Sequence, residues 1–172
     1  MTTQDYICLR CSRVYPTCCR LKPGLEELCF PLSRQEQKNI QNHLLHSDFF
    51  VEQSNTAKFI STMGRLLPDH YQKTRSIFTP DTCHLRLKTL SDGKCILLQD
   101  DGCLLPRHMR PFYCRLFPFW FYRGRLGYMA SRECLAQQET REVKNLLKLF
   151  RAEVSALQAD YYSMLRNLGL ND

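Results

Sequence analysis

Cys8-Leu9-Arg10-Cys11-Ser12-Arg13-Val14-Tyr15-Pro16-Thr17-Cys18-Cys19 sets four thiols close together near the start of the chain. Cys8-x-x-Cys11 is a spacing at which two thiolates curl onto one tetrahedral ion. The same spacing serves redox chemistry when it opens a helix after a strand, and the seven residues before Cys8 leave little room for that strand. Cys18-Cys19 is unusual for a simple zinc knuckle, because neighbouring side chains of an extended chain point to opposite sides. Two metal sites close together, a turned backbone, or one ligand beside one buried thiol each account for the pair.

The rest of the chain has the composition of an ordinary globular domain. It has 172 residues, 44% of them hydrophobic, which suits one domain and excludes a disordered or collagen-like chain. No run of apolar residues is long enough for a membrane span. The first residues lack the basic and then apolar pattern of a secretory signal, so a cytoplasmic location is expected. Ten cysteines in a reducing compartment are not five disulfides, and their clustering points to metal or iron–sulfur ligation. The formal charge of +7 invites a nucleic-acid reading, but its distribution argues against one. Arginine outnumbers lysine two to one, and Arg10, Arg13, Arg20, Arg107, Arg110, Arg115 and Arg132 lie near cysteines in sequence. A cation beside a thiol favours the thiolate, which is the ligating form.

Periodicity supplies the frame. Residues 8–31 show no helical or strand period, with Pro16, Pro23, Gly24 and Pro31 among the cysteines. Ser33-x-x-Glu36 is a capping-box pattern and predicts a helix to about residue 46, with Ile40, Leu44 and Leu45 on its apolar face. A second helix is predicted over 56–67, stopped by Pro68, and 69–82 is ambiguous. From Cys83 the period changes to two, and Asp92-Gly93 predicts a hairpin joining 83–88 to 95–98. Asp100-Asp101-Gly102 is a second turn that delivers Cys103. A short turn or helix is expected around 107–114, then a hairpin of 119–122 with 126–130. Val143, Leu147, Phe150, Val154, Leu157, Tyr161, Met164 and Leu168 form one stripe of a long helix over about 135–168. The stripe suits packing on the chain's own core, and it also satisfies a coiled-coil seam for a homodimer or protein partner.

The second group of thiols is Cys95-x7-Cys103-x10-Cys114, with Cys134 beyond, carried on hairpin ends and turns that can converge. No second Cys-x-x-Cys accompanies them, so a two-knuckle zinc ribbon is not supported. The Cys-x-x-Cys with its following cysteine pair, Cys95, Asp101-Gly102-Cys103 and Arg110-Pro111-Phe112-Tyr113-Cys114-Arg115-Leu116-Phe117-Pro118-Phe119 together resemble the YkgJ-type cysteine-cluster family. That family is described as a zinc- or iron-chelating domain and is named for a CxxCxxCC motif. The resemblance covers roughly 8–40 and 95–134. Here six residues, not two, separate Cys11 from Cys18. The resemblance implies eight ligands: Cys8, Cys11, Cys18, Cys19, Cys95, Cys103, Cys114 and Cys134. Cys29 and Cys83 fall outside the motif. A flagellin lysine methylase similar in its cysteine cluster implies iron–sulfur and S-adenosylmethionine chemistry in the wider group, though no Gly-rich cofactor loop is seen here.

Other candidates are weaker. His84 and His108 lie near cysteines, yet eight thiols already suffice. Asp100-Asp101 reads as a turn rather than as a hard-cation site. The aromatics from Phe112 to Tyr122 can stack bases, but they suit an apolar jacket around a cluster better. No Ser/His/Asp order, Walker loop or HExxH helix is present, so no enzyme class is assigned. The expected fold is α+β: a small single domain over 1–172, with a helical frame, short β-hairpins and a long C-terminal helix. Its metal site is loop-borne, in segments 8–31 and 83–134. The expected function is metal binding, with an iron–sulfur cluster (4Fe-4S being one form) ahead of zinc, in a binding or redox role. The alternatives are a cluster-dependent, methyltransferase-like enzyme and, further off, a nucleic-acid-binding zinc protein.

Overall fold

Ser33 and Glu36 form the capping box their spacing predicts: Ser33 Oγ accepts from the Glu36 amide at 3.2 Å, and Glu36 Oε2 accepts from the Ser33 amide at 2.8 Å. The helix begun there ends at a left-handed Leu45. The computed structural model describes residues 7–14, 17–45 and 48–171. In chain order the elements are α1 (Ile7–Cys11), α2 (Arg34–Leu44), β1 (Phe50–Ser54), α3 (Ala57–Leu66), α4 (Tyr71–Ile77), β2 (Cys83–Leu87), β3 (Leu98–Gln99) and β4 (Gly102–Cys103). There follow α5 (Phe112–Leu116), β5 (Phe119–Tyr122), β6 (Arg125–Tyr128), α6 (Leu135–Glu139), α7 (Val143–Phe150) and α8 (Val154–Asn167). The class is α+β, with three separate antiparallel strand pairs set among helices. No helix among the described residues is long and apolar enough to cross a membrane.

One expected turn and one expected hairpin form. β3 and β4 pair across Asp100-Asp101, and β5 and β6 pair across Arg123-Gly124. The other hairpin differs from expectation. β2 pairs with β1, from Phe50 opposite Leu87 to Ser54 opposite Cys83, and not with 95–98. The Asp92-Gly93 turn is still made, but its ladder shrinks to a bridge between Thr89 and Cys95. The reason lies in the backbone: the Ile96 amide donates to the Lys88 carbonyl at 3.0 Å, but the Lys88 amide donates to the Phe49 carbonyl at 2.8 Å and is not available to extend the local hairpin. The cysteine head also has more order than its sequence suggests, since Cys8 and Cys11 sit on the helical turn α1.

Aromatic side chains fill the main core. Trp120 and Phe119 are fully buried, with Trp120 edge-on to Tyr161 at 5.4 Å and Phe119 edge-on to Phe150 at 5.5 Å. Trp120 Nε1 donates to the Leu66 carbonyl at 2.6 Å, so its polar edge is satisfied at the C-terminal end of α3. A smaller core of Ile40, Leu97 and Leu105 lies between α2 and the β3–β4 pair.

The tail is helical, in three segments where the stripe suggests one continuous helix. Thr140 is extended and Arg151 adopts a left-handed cap with φ 47°. The Arg107 guanidinium donates to the Phe150 carbonyl, satisfying an acceptor that the break leaves open. Most of the stripe still faces inward: Leu157, Tyr161 and Met164 are buried in the main core, whereas Val154 is 43% exposed. Leu157→Asp is therefore expected to lower unfolding free energy by about 3 kcal/mol or more, since it places a charge in an apolar contact. Val154→Asp should change it by less than about 0.5 kcal/mol. Urea denaturation of both variants checks this, and equal losses would contradict the packing described.

Candidate metal centre

Six segments carry the eight expected cysteines to one place. On α1, Cys8 and Cys11 are three residues apart and share a helix face. That helix packs on α6 and α7, and Arg10 pairs with Glu139 of α6. Cys18 and Cys19 occupy the corner of a tight turn, in which Thr17 and Arg20 exchange backbone hydrogen bonds of 3.0 and 3.1 Å. The turned backbone, one of three explanations open for this pair, is the one observed. It brings Cys18 Sγ within 3.8 Å of Cys19 Sγ. Cys95 is joined to that turn through its amide, and Cys103 comes in on β4. Cys114 lies on α5, and Cys134 is the residue that begins α6.

All eight line one cavity of about 90 Å³. Cys18 and Cys114 are the exposed members, and the cavity is where their sulfurs have access. A larger cavity of about 340 Å³ adjoins the first. The two share a wall that includes Cys18, Cys19, Cys95, Cys114, Tyr113 and Phe117. All ten cysteines are free thiols.

Glu36 is a positioning residue that its capping pattern only half reveals. Its Oε2 serves the box at Ser33, while its Oε1 accepts from the Phe112 amide at 2.8 Å and fixes the start of the helix that carries Cys114. Around the thiols the walls are apolar and aromatic, including Ile7, Leu97, Phe117 and Phe150. The aromatic run from Phe112 thus serves core and cavity, with Phe119, Trp120 and Phe121 buried.

Burial makes the protonated thiol the favoured form. It raises Cys11 to about 11 and Cys95 to about 12, and it raises Cys103 and Cys134 as well. Cys114 lies well above the ordinary thiol value through burial and then the neighbouring Cys19, Cys95 and Cys103. Cys18 is raised by the hydrogen bond it shares with Cys19 and then by burial. Cys19 is the exception. That bond from Cys18 lowers it against burial, and the Arg110 guanidinium adds to the lowering.

Of the seven arginines near cysteines in sequence, Arg110 is the one whose charge lowers ligand thiols, at Cys19 and Cys103. Arg10 pairs with Glu139, Arg20 with Asp92 and Arg115 with Asp160. Arg107 caps α7, and Arg13 and Arg132 are exposed. His84 and His108 do not join the centre. His84 is buried beneath Phe59 at 3.8 Å with Nδ1 bonded to Asn55 Oδ1 at 2.8 Å, and His108 is exposed outside both cavities. Asp100 and Asp101 are exposed turn residues. Cys29 lines the larger cavity, and Cys83 is exposed beside Ser54.

The thiols can be compared with the donor geometry of a single ion. Four thiolates on zinc stand about 3.8 Å apart, from a Zn–S bond of about 2.3 Å and tetrahedral angles. The Cys18–Cys19 pair meets that separation, but among the described residues no three His, Cys, Asp or Glu side chains gather as a single-ion site. Comparison with protein-family models, with curated proteins and with solved structures gives no match for this chain.

The raised thiols make the metal-free fold sensitive to alkali. A group raised above its unfolded value of about 9 stabilises the fold fully below that pH, and the stabilisation is lost as pH climbs through the folded value. For Cys11 and Cys95 the window is pH 9 to about 12. The urea midpoint of metal-free protein should thus fall steadily from pH 8.5 to 10.5, beyond the fall seen in a Cys11→Ala, Cys95→Ala double variant. Parallel curves for the two proteins would contradict the assignment.

Proposed function

We propose that this protein binds a metal cofactor through clustered cysteine thiolates, an iron–sulfur cluster ahead of zinc, in a binding or electron-transfer role. The observation that carries the reading is the convergence on one cavity of cysteines from both ends of the chain. The resemblance to the YkgJ-type cysteine-cluster family belongs to the same proposal, as does a cytoplasmic location, since free thiols of this number persist in a reducing compartment. Cys8, Cys11, Cys18, Cys19, Cys95, Cys103, Cys114 and Cys134 would supply the ligands. A bound cluster supplies one-electron redox chemistry at a potential set by its surroundings. The chain's own residues prepare for it: the bond from Cys18 and the Arg110 guanidinium favour the Cys19 thiolate, and the aromatic walls exclude water.

A second reading is a cluster-dependent modifying enzyme, methyltransferase-like in class. The 340 Å³ cavity favours it, because a molecule held there would touch the same wall of thiols. Nucleic-acid binding finds less support. The aromatic run is largely buried, with Phe119, Trp120 and Phe121 inside the core.

The proposal requires that the two cysteine groups act as one site. Ligands from both halves close a long loop on one group, so binding free energy becomes folding free energy. Cys11→Ser and Cys114→Ser should each lose most of the bound metal and most of the same stability, and the double variant should be far from additive. Cys29→Ser should keep its metal. Metal per chain and denaturation midpoints read the result. If each variant lost a different half of the metal, with additive stability losses, two independent sites would replace the one proposed.

A further inference from the structure

The larger cavity has features that thiol ligation does not use. It lies across the wall of Cys18, Cys19, Cys95 and Cys114, and its 340 Å³ is the size of a small-molecule pocket. Its remaining walls are largely apolar, with Leu21, Leu25, Leu32 and Leu87 around the stacked rings of Phe30 and Tyr113. Those rings stack on each other 4.7 Å apart and within 8° of parallel, an aromatic stack that a planar ligand can extend or meet at its edge. The Tyr113 oxygen is within electrostatic reach of Cys18, Cys29 and Cys114, which all line the cavity. Its hydroxyl makes no hydrogen bond to a described residue.

The charges of the lining favour one sign of ligand. Two ammonium-bearing side chains, Lys22 and Lys88, stand against a single carboxylate, Glu133. Both lysines have a carboxylate partner, in ion pairs open to solvent. Lys22 and Glu133 are 3.9 Å apart with side chains 60% and 43% exposed, and Lys88 pairs with Asp48, which is 73% exposed. Pairs this open contribute little and exchange partners readily.

We propose that this cavity binds a small planar organic anion, its ring against the Phe30–Tyr113 stack and its acidic group toward Lys22 and Lys88. The Tyr113 hydroxyl supplies a donor within the pocket. The inference stands on this cavity alone and does not require metal in the neighbouring one.

Naphthoate is the probe, with naphthylmethanol and naphthylmethylammonium as neutral and cationic controls. Each is titrated by calorimetry into the full chain, and iron, sulfide and zinc are measured on the same sample. One naphthoate per chain is expected, bound about tenfold or more tighter than either control. Lys88→Gln and Tyr113→Phe should each weaken it about threefold or more at unchanged melting temperature. Leu25→Trp, which fills the cavity, should abolish binding, and the two conservative variants decide the matter if it does not fold. Absence of saturable binding, equal affinity for the three probes, or affinity unmoved by Lys88→Gln and Tyr113→Phe would each overturn the inference. Naphthoate bound by metal-free chain would support it while counting against the metal proposal. Metal without naphthoate binding would do the reverse.

Discussion

The amide of Cys95 donates to the carbonyl of Cys19 at 2.8 Å, and two residues on either side the Leu21 amide donates to the Gly93 carbonyl at 2.9 Å. This short seam joins the head of the chain to its middle, and the cysteine cavity depends on it. Gly93 makes the close approach possible. A Cβ there would stand 1.9 Å from the Leu21 carbonyl oxygen, and φ is +78°, so no other residue fits without moving the seam. Closing a loop of this length costs on the order of 4 kcal/mol in chain entropy. The helices that occupy the loop offset that cost by burying the aromatic core around Trp120 and Phe59.

Once the seam is made, the thiols fall into an environment that does not suit their charged forms. Apolar walls raise most of them, whereas Cys19, bonded by Cys18 and facing Arg110, is lowered. A cation or cluster is what converts such a group of buried thiols into a compensated assembly of thiolates. Glu36 extends the same economy of parts to the backbone, since one buried carboxylate starts α2 and positions α5. Cys114 therefore inherits its position from a helix cap many residues earlier in the chain.

Much of this was legible in the sequence, and the limits have physical causes. Ser33-x-x-Glu36, Asp100-Asp101-Gly102 and Arg123-Gly124 are local signals, and each forms the turn or cap it encodes. Asp92-Gly93 also makes its turn, but the strand beside it pairs with Phe50–Ser54, because a pairing with a distant partner leaves no local mark. The tail shows the same division: the inward face of Leu157, Tyr161 and Met164 is readable from spacing, while the break at Arg151 rests on Arg107, a cap from outside the helix. The eight thiols that the family resemblance implied as ligands line one cavity, whereas the spacing of the Cys18-Cys19 pair left open the shape that the Thr17–Arg20 turn gives it. Proximity to cysteine in sequence was a poor guide to arginine function, since Arg10, Arg20 and Arg115 are held by carboxylates.

The central claim is that these thiols hold a polynuclear metal group. Its most direct test is the iron, inorganic sulfide and zinc content of the wild-type protein purified without oxygen, with its visible spectrum. The account predicts iron and sulfide in matching, near-integral amounts per chain, with a brown absorption that fades in air. Zinc alone would keep the thiolate site and overturn the cluster. A stably folded protein carrying neither metal would contradict the account altogether.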